Sequence, residues 1–182
     1  ILTEENDAVI VNTPVYYPFL DAVKNNHRNL ICSDLKNENG EYSIDFDDFE
    51  KKITDHQVKL FILCSPHNPA GRVWKKEEIQ KFMDICKKHD VLVFSDEIWS
   101  DLVRKENTHI PTQSISEDAK KRTIAAYAPS KTFNLAGLVG SSVGQSLFGV
   151  WGPSLAGMAL IPSILGAVII VSVVSFFLGK ND

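Results

Sequence analysis

The sequence has few cysteines, and their arrangement excludes a disulfide framework. Three are present in 182 residues, they lack CxxC spacing, and each lies among apolar neighbours at Cys32, Cys64 and Cys86. An odd number of cysteines in such positions is typical of reduced thiols that pack in the core of a cytoplasmic protein. We predict no metal site.

The chain also lacks an excess of positive charge. Its formal net charge is −4, so composition gives no reason to expect a nucleic-acid partner. Residues 1–7 are polar and acidic, which is not the pattern of a secretory signal peptide. With 44% hydrophobic and 23% charged residues, the length suits one ordinary core and is short for two complete domains.

Charged side chains are missing altogether from 141–179. Within this tail, 156–178 is almost wholly apolar and longer than the roughly 20 residues that a helix needs to cross a bilayer. Three interpretations stay open: a transmembrane anchor, an apolar helix that covers a sheet edge, or foreign sequence joined to the chain. Composition therefore predicts a boundary near Ser141, with a cytoplasmic domain over 1–140 and an apolar helical tail over 141–182 that is a candidate for membrane association.

Apolar runs alternate with amphipathic segments in the first part of the chain. The runs have the character of buried strands and lie at 8–11, 30–32, 60–64, 91–94 and 123–127. Between them, 75–88 has apolar residues at helical spacing, and Asp45 is expected to cap a helix through Ile53 with Asp48 as its capping-box partner. This alternation predicts parallel βαβ units in a three-layer α/β/α fold with a mostly parallel sheet.

Residues that follow these strands are the candidates for a binding site, because open parallel sheets bind ligands outside the carboxyl ends of their strands. Taken singly, each has an ordinary role as a turn former, a cap, a half-buried aromatic or a surface lysine. We expect the lysine, however, to be desolvated at the mouth of the sheet, which makes an amine a nucleophile for aldehydes. The candidates are Tyr16, Asn68, Asp96, Trp99, Ser130 and Lys131.

Three runs together resemble the fold-type-I pyridoxal 5'-phosphate (PLP) enzymes, the aminotransferase superfamily. They are Asn-Pro-Ala-Gly at 68–71, Ser-Asp-Glu-Ile-Trp-Ser-Asp at 95–101 and Ser-Lys-Thr-Phe-Asn-Leu-Ala-Gly at 130–137. The chain is most similar to the cystathionine β-lyase, or carbon-sulfur lyase, branch. It has Val139 where many aminotransferases carry a phosphate-binding arginine, and Trp99 where many carry a tyrosine. The resemblance covers about residues 1–138, less than half of a family member, so the chain is interpreted as a truncated large domain.

The resemblance implies a role for each candidate residue. Lys131 binds PLP as a Schiff base and later moves protons at the substrate α carbon. Asp96 pairs with the pyridine nitrogen, and Asn68 donates a hydrogen bond to the phenolic oxygen. The remaining cofactor-binding residues are Tyr16, which stacks on the ring, Ser130, which helps to hold the phosphate, and Trp99.

The activity that the resemblance implies is β-elimination from a cysteine conjugate, which releases a thiol, pyruvate and ammonia. The substrate would be a small amino acid, and the family resemblance also implies a homodimer. A class I or II aminotransferase is the alternative enzyme. A catalytically inactive remnant tethered to a membrane is the alternative from another class.

Overall fold

The computed structural model describes residues 2–133, 135–155 and 158–178. The chain forms two compact units, Ile1–Ala128 and Pro129–Asp182. The boundary between the two units lies before the change of composition near Ser141. That change falls inside a helix of the second unit and not between elements. The assignment of 1–140 as a domain and 141–182 as a tail stays a prediction.

A parallel sheet forms the centre of the first unit. The strands of this unit are β1 (Ala8–Thr13), β2 (Asn29–Asp34), β3 (Lys36–Glu38), β4 (Glu41–Ser43), β5 (Leu60–Cys64), β6 (Leu92–Asp96) and β7 (Thr123–Ala126). Five of them make one sheet in the order β2-β1-β5-β6-β7, and every neighbouring pair is parallel. β3 and β4 form a separate antiparallel hairpin. The predicted parallel sheet is confirmed.

Helices cover both faces of this sheet, as the alternating pattern predicts. They are α1 (Pro18–Asn25), α2 (Phe46–His56), α3 (Lys76–Lys88) and α4 (Glu117–Arg122). On one face, Phe49 of α2 and Phe82 of α3 pack with strand residues such as Phe61. On the other face, Val23 of α1 packs with residues such as Val9. Period-2 alternation in the strands therefore supplies two apolar layers.

Helix α2 begins as predicted, with one difference in its cap. The Asp45 side chain accepts a hydrogen bond from the Asp48 backbone N–H at 3.1 Å, as an N-cap should. The Asp48 carboxylate, which the capping-box pattern assigns to the return bond, instead accepts from Ser33 Oγ at 2.8 Å and pairs with Lys52 at 2.9 Å. Ser33 and Lys52, which lie outside the first turn, therefore take the place of the return hydrogen bond of the capping box.

An aromatic cluster joins α2, α3 and the sheet. The Phe82 ring has no exposed surface, and its centroid lies 4.9 Å from that of Phe49 and 5.0 Å from those of Phe46 and Phe61. Tilted and edge-on aromatic pairs at this spacing add to the free energy gained by burial alone. The first unit therefore has a rigid layer directly behind the strands that carry the candidate residues.

The second unit is helical. Its elements are α5 (Pro129–Thr132), α6 (Leu135–Phe148), β8 (Ser154–Leu155), β9 (Met158–Ala159) and α7 (Leu160–Leu178). Helices α6 and α7 lie so close together that a Cβ atom added to Gly144 would collide with the Pro162 carbonyl oxygen. Their backbones are therefore in direct contact at this point. Ser141 and Ser163 also share a hydrogen bond of 2.8 Å between the two helices.

The apolar tail does not support the transmembrane prediction. Within residues 2–133, 135–155 and 158–178, no helix combines the length and the apolar character that crossing a membrane requires. The tail is divided between α6 and α7, and glycines at their contact let the two helices bury small side chains against each other. Of the three interpretations of the tail, the transmembrane anchor is therefore not supported by the part of the chain that the structure describes.

Replacing Phe82 with alanine should lower the free energy of unfolding by about 3–5 kcal/mol, because the change leaves a cavity inside the aromatic cluster. Urea denaturation of the full chain measures this difference. The exposed Lys76 on the same helix supplies a matched control, and Lys76→Ala should change the free energy of unfolding by less than about 0.5 kcal/mol. Equal effects of the two substitutions would contradict this description of the core.

Candidate functional site

The carboxyl ends of β5 and β6 lie side by side. Cys64, the last residue of β5, is in register with Asp96, the last residue of β6. The backbone N–H of Ser65 also donates to the Asp96 carbonyl at 2.9 Å. Parallel pairing therefore places the loops that carry Asn68 and Trp99 at one edge of the sheet.

Asp96 and Asn68 approach each other around one sulfur atom. Asp96 is only 6% exposed, and its Oδ1 accepts a hydrogen bond from the Ile98 backbone N–H at 3.1 Å. Its Oδ2 lies 4.0 Å from Cys64 Sγ, which in turn accepts from the Asn68 backbone N–H at 3.4 Å. The Asn68 backbone and the Asp96 carboxylate thus contact the same sulfur within the first unit.

A pocket of ≈ 540 Å³ opens beside this point. Asn68 and Trp99 both line it, with Arg104 and Asn107 from the following loop. The Trp99 side chain is 37% exposed, so part of its ring is accessible to a ligand. Pockets of a few hundred cubic ångströms that combine apolar walls with a few polar groups are typical of small-molecule sites.

His67 lines the same pocket and was not among the predicted residues. Its Nε2 lies 3.2 Å from the Asn12 carbonyl, so Nε2 carries the proton and donates, while Nδ1 is left as an acceptor with no partner among the described residues. Burial lowers the pKa of His67 to about 4, and the nearby Arg72 acts in the same direction. The only signal in the sequence was its position directly before Asn68.

Glu97 forms a buried hydrogen-bond network next to Asp96. It has no exposed surface and accepts from His109 Nε2 at 2.9 Å and Tyr127 Oη at 2.6 Å. Ser95 Oγ and the Thr112 backbone N–H each donate to it at 3.0 Å. Burial alone would raise the pKa of Glu97, but these hydrogen bonds outweigh burial and lower the pKa to about 2. Sequence reasoning missed this role, because the partners are distant along the chain.

The remaining predicted residues lie elsewhere or in the second unit. The Tyr16 ring contacts Tyr17 and Phe19, with centroids 5.8 and 5.6 Å away, and Tyr16 is not among the described residues that line the pocket. Ser130 and Lys131 belong to α5 of the second unit, and both side chains are exposed. The expected desolvation of Lys131 is therefore wrong for this structure, since a four-residue helix leaves its side chain open to solvent.

The residues of the first unit fit the ring of PLP by their chemistry. Asp96 offers a buried carboxylate as an acceptor for a protonated ring nitrogen, Asn68 offers an amide donor, and Trp99 offers an aromatic surface. Among the described residues, no group of three or more His, Cys, Asp or Glu side chains is placed to hold a metal ion.

The chain matches a known family over most of its length. The sequence model for aminotransferase class I and II matches residues 1–169, which extends beyond the limit near residue 138 that the motifs predict. The chain is 46% identical to cystathionine beta-lyase PatB of Bacillus subtilis over 141 residues, which are 78% of this chain and 36% of that protein. It therefore spans about a third of the length of the curated relatives that it matches.

Solved structures show the same relationship. Cystalysin from Treponema denticola, which contains a pyridoxal 5'-phosphate cofactor, superimposes with a TM-score of 0.72 at 49% sequence identity. The PLP-bound C-S lyase from Staphylococcus hominis superimposes with a TM-score of 0.68 at 40% identity. Each match covers 75% of this chain and 35% of the solved chain. The fold is that of the large domain of these PLP enzymes.

Replacing Glu97 with glutamine should lower the free energy of unfolding by an amount that becomes smaller as the pH falls. The carboxylate pKa is lowered from 4.5 to about 2 in the folded state, so its contribution is complete above pH 4.5 and is lost as the pH falls toward 2. That contribution is roughly 3 kcal/mol. Unfolding of wild type and Glu97→Gln, measured at several pH values, should show the largest difference near neutral pH and a small one near pH 2.

Glu106 provides the control for this measurement, because it is an exposed carboxylate in the loop that leads to the network. Glu106→Gln should unfold with nearly the wild-type pH dependence. A Glu97→Gln variant as stable as wild type at neutral pH would show that the network does not stabilise the fold.

Proposed function

The chain belongs to the aminotransferase class I and II family, and from that premise we propose that it provides part of the PLP site of a carbon-sulfur β-lyase of the cystathionine β-lyase type. The observation that carries the proposal is that the Asn68 backbone and the Asp96 carboxylate contact the same Cys64 sulfur, beside a pocket that Asn68 and Trp99 line. Because the chain spans about a third of its curated relatives, the complete activity, its amino-acid substrate and a homodimeric assembly are all part of the proposal.

Asp96 would hold the ring nitrogen of the cofactor. Its carboxylate is buried, and the Ile98 N–H already fixes the orientation of Oδ1, so a proton-bearing nitrogen could be bound without reorganising the strand end. PLP, when bound, supplies an electron sink for negative charge that develops at the substrate α carbon. A carboxylate beside the nitrogen keeps that nitrogen protonated, which strengthens the sink.

Asn68 and Trp99 would orient the ring within the pocket. The side-chain amide of Asn68 is the proposed donor to the phenolic oxygen, and its backbone is anchored by Cys64. Trp99 would limit the access of water to one part of the pocket. Tyr16 is the proposed stacking residue for the ring face, and Ser130 is the proposed hydroxyl donor to the phosphate.

Lys131 is the proposed catalytic base. Its amine would hold the aldehyde of the cofactor and, once the amino group of a cysteine conjugate has displaced it there, the freed amine would accept the α proton of that conjugate. Loss of that proton allows the bond between Cβ and sulfur to break, and the thiolate leaves with the bonding electron pair. The aminoacrylate that remains is hydrolysed to pyruvate and ammonia.

Two substitutions favour a lyase over an aminotransferase. Val139 stands where many aminotransferases have a phosphate-binding arginine, and Trp99 stands where many have a tyrosine. The relatives of high identity described above are named as a β-lyase, cystalysin and a C-S lyase. A class I or II aminotransferase is the second candidate, because the family as a whole carries that name.

Adding PLP to the purified full chain should produce an absorption band, and reduction with borohydride should fix one cofactor to Lys131. Mass spectrometry of the digested protein identifies the modified residue. Lys131→Ala should lose the covalent adduct, whereas the exposed Lys120→Ala should retain it, since any surface amine can react weakly with an aldehyde. Adduct formation spread equally over surface lysines would overturn the proposed cofactor role of Lys131.

The reaction itself can be separated from transamination by its products. With PLP and cystathionine but without a keto acid, a β-lyase should release pyruvate and thiol in equal amounts, because elimination needs no acceptor. Lys131→Ala should reduce this release by at least about 100-fold, as expected for loss of a general base. Conversion that depends on an added keto acid would identify an aminotransferase instead.

A further inference from the structure

We propose that Cys64 is a positioning residue of the cofactor pocket, whose sulfur holds the loop that presents Asn68 next to Asp96. The inference rests on the proposed function, because it assigns the sulfur a role toward two residues that are proposed to bind PLP. It adds a residue outside the three sequence motifs described above.

The sulfur of Cys64 lies inside the turn that follows β5. Its S–H faces two acceptors, the Pro66 carbonyl at 3.4 Å and Asp96 Oδ2 at 4.0 Å, and the Asn68 backbone N–H donates to the same sulfur at 3.4 Å. One side chain therefore bonds residues two and four positions further along the chain. The Cys64 carbonyl also accepts from the indole N–H of Trp74 at 2.9 Å, which fixes the strand end from the other side.

The thiol must stay neutral for this arrangement to hold. Burial raises the pKa of Cys64 to about 12, and the nearby Asp96 carboxylate acts in the same direction. The S–H proton is therefore retained at neutral pH and remains available as a weak donor. A thiolate would instead be repelled by Asp96 Oδ2, which lies 4.0 Å away.

Neither alanine nor serine reproduces these contacts. Alanine removes the acceptor for the part-buried Asn68 N–H, which weakens the attachment of the loop. Serine keeps a hydroxyl, but hydrogen bonds between oxygen and nitrogen are shorter than the 3.4 Å that the sulfur spans. The loop would have to move inward, and Asn68 would move with it.

Cys86 provides the control that distinguishes a positioning role of Cys64 from simple packing. It is also a free, fully buried cysteine, and burial raises its pKa to about 12 as well. It lies in α3 within the large apolar cluster and is not among the described residues that line the pocket. Cys86→Ala therefore removes a comparable buried thiol without touching the pocket.

The test compares Cys64→Ala, Cys64→Ser and Cys86→Ala in the full chain. Titration of the PLP absorption band should give an affinity about tenfold weaker for Cys64→Ala, with Cys64→Ser between it and wild type. Cys86→Ala should lower the melting temperature by a similar amount and leave the affinity within about twofold. Equal PLP affinity of Cys64→Ala and Cys86→Ala would overturn the proposal.

A double-mutant cycle gives a readout that loss of stability would not change. In an Asn68→Ala background, Cys64→Ala should weaken PLP binding by less than about twofold further, because the sulfur acts through Asn68. If the losses of PLP affinity from the two substitutions were fully additive, the sulfur would not act through Asn68, and the proposal would be overturned.

Hydrogen exchange of the Asn68 amide, measured without PLP, keeps this inference distinct from the proposed function. The amide should be protected in wild type and Cys86→Ala and exchange faster in Cys64→Ala. Exchange that is equally fast in all three proteins would overturn the contact itself. A wild-type chain with a protected Asn68 amide but no PLP band would overturn the proposed function, and the cofactor role of Cys64 with it.

Discussion

The candidate site depends on the parallel register between β5 and β6. The two strands pair from Leu60 opposite Leu92 to Cys64 opposite Asp96, so both end at the same edge. A slip of one residue would turn every side chain to the other face and remove Phe61 from its packing with Phe49 and Phe82. The core therefore fixes the register, and the register places Cys64 beside Asp96.

Buried polar groups extend this constraint beyond the two strands. Glu97, directly after β6, accepts hydrogen bonds from Tyr127, which follows β7, and from His109, which lies in the loop after β6. Because the carboxylate has no exposed surface, its hydrogen bonds offset a desolvation cost that no water could relieve. The neighbouring Asp96 therefore lies at the end of a strand that pairs with β5 on one side and β7 on the other. Cys64 and His67, in contrast, are both held neutral by burial.

Sequence reasoning predicted the parts of this structure that depend on local patterns. The apolar run Leu60–Cys64 is a strand with the predicted bounds, because five consecutive apolar residues between polar segments suit a strand buried on both faces. The role of Glu97 was missed, since Tyr127 is 30 positions away and becomes its neighbour only after folding. The role of Cys64 was missed although Pro66 and Asn68 are near it in sequence, because the apolar surroundings of the thiol predict only a packing residue. Composition left a transmembrane anchor open as one interpretation of the tail, because hydropathy does not register that Gly144 allows close helix packing.

The central claim is that the carboxyl ends of β5 and β6 receive the PLP ring. Titrating the isotope-labelled full chain with PLP, and following its backbone amide and indole signals by NMR, tests this most directly. The account predicts shifts of the Asn68 and Ile98 amides and the Trp99 indole, with unchanged amides for Lys59 and Leu92 at the opposite ends of the strands. Shifts confined to those opposite ends, or no shifts in the first unit, would contradict it.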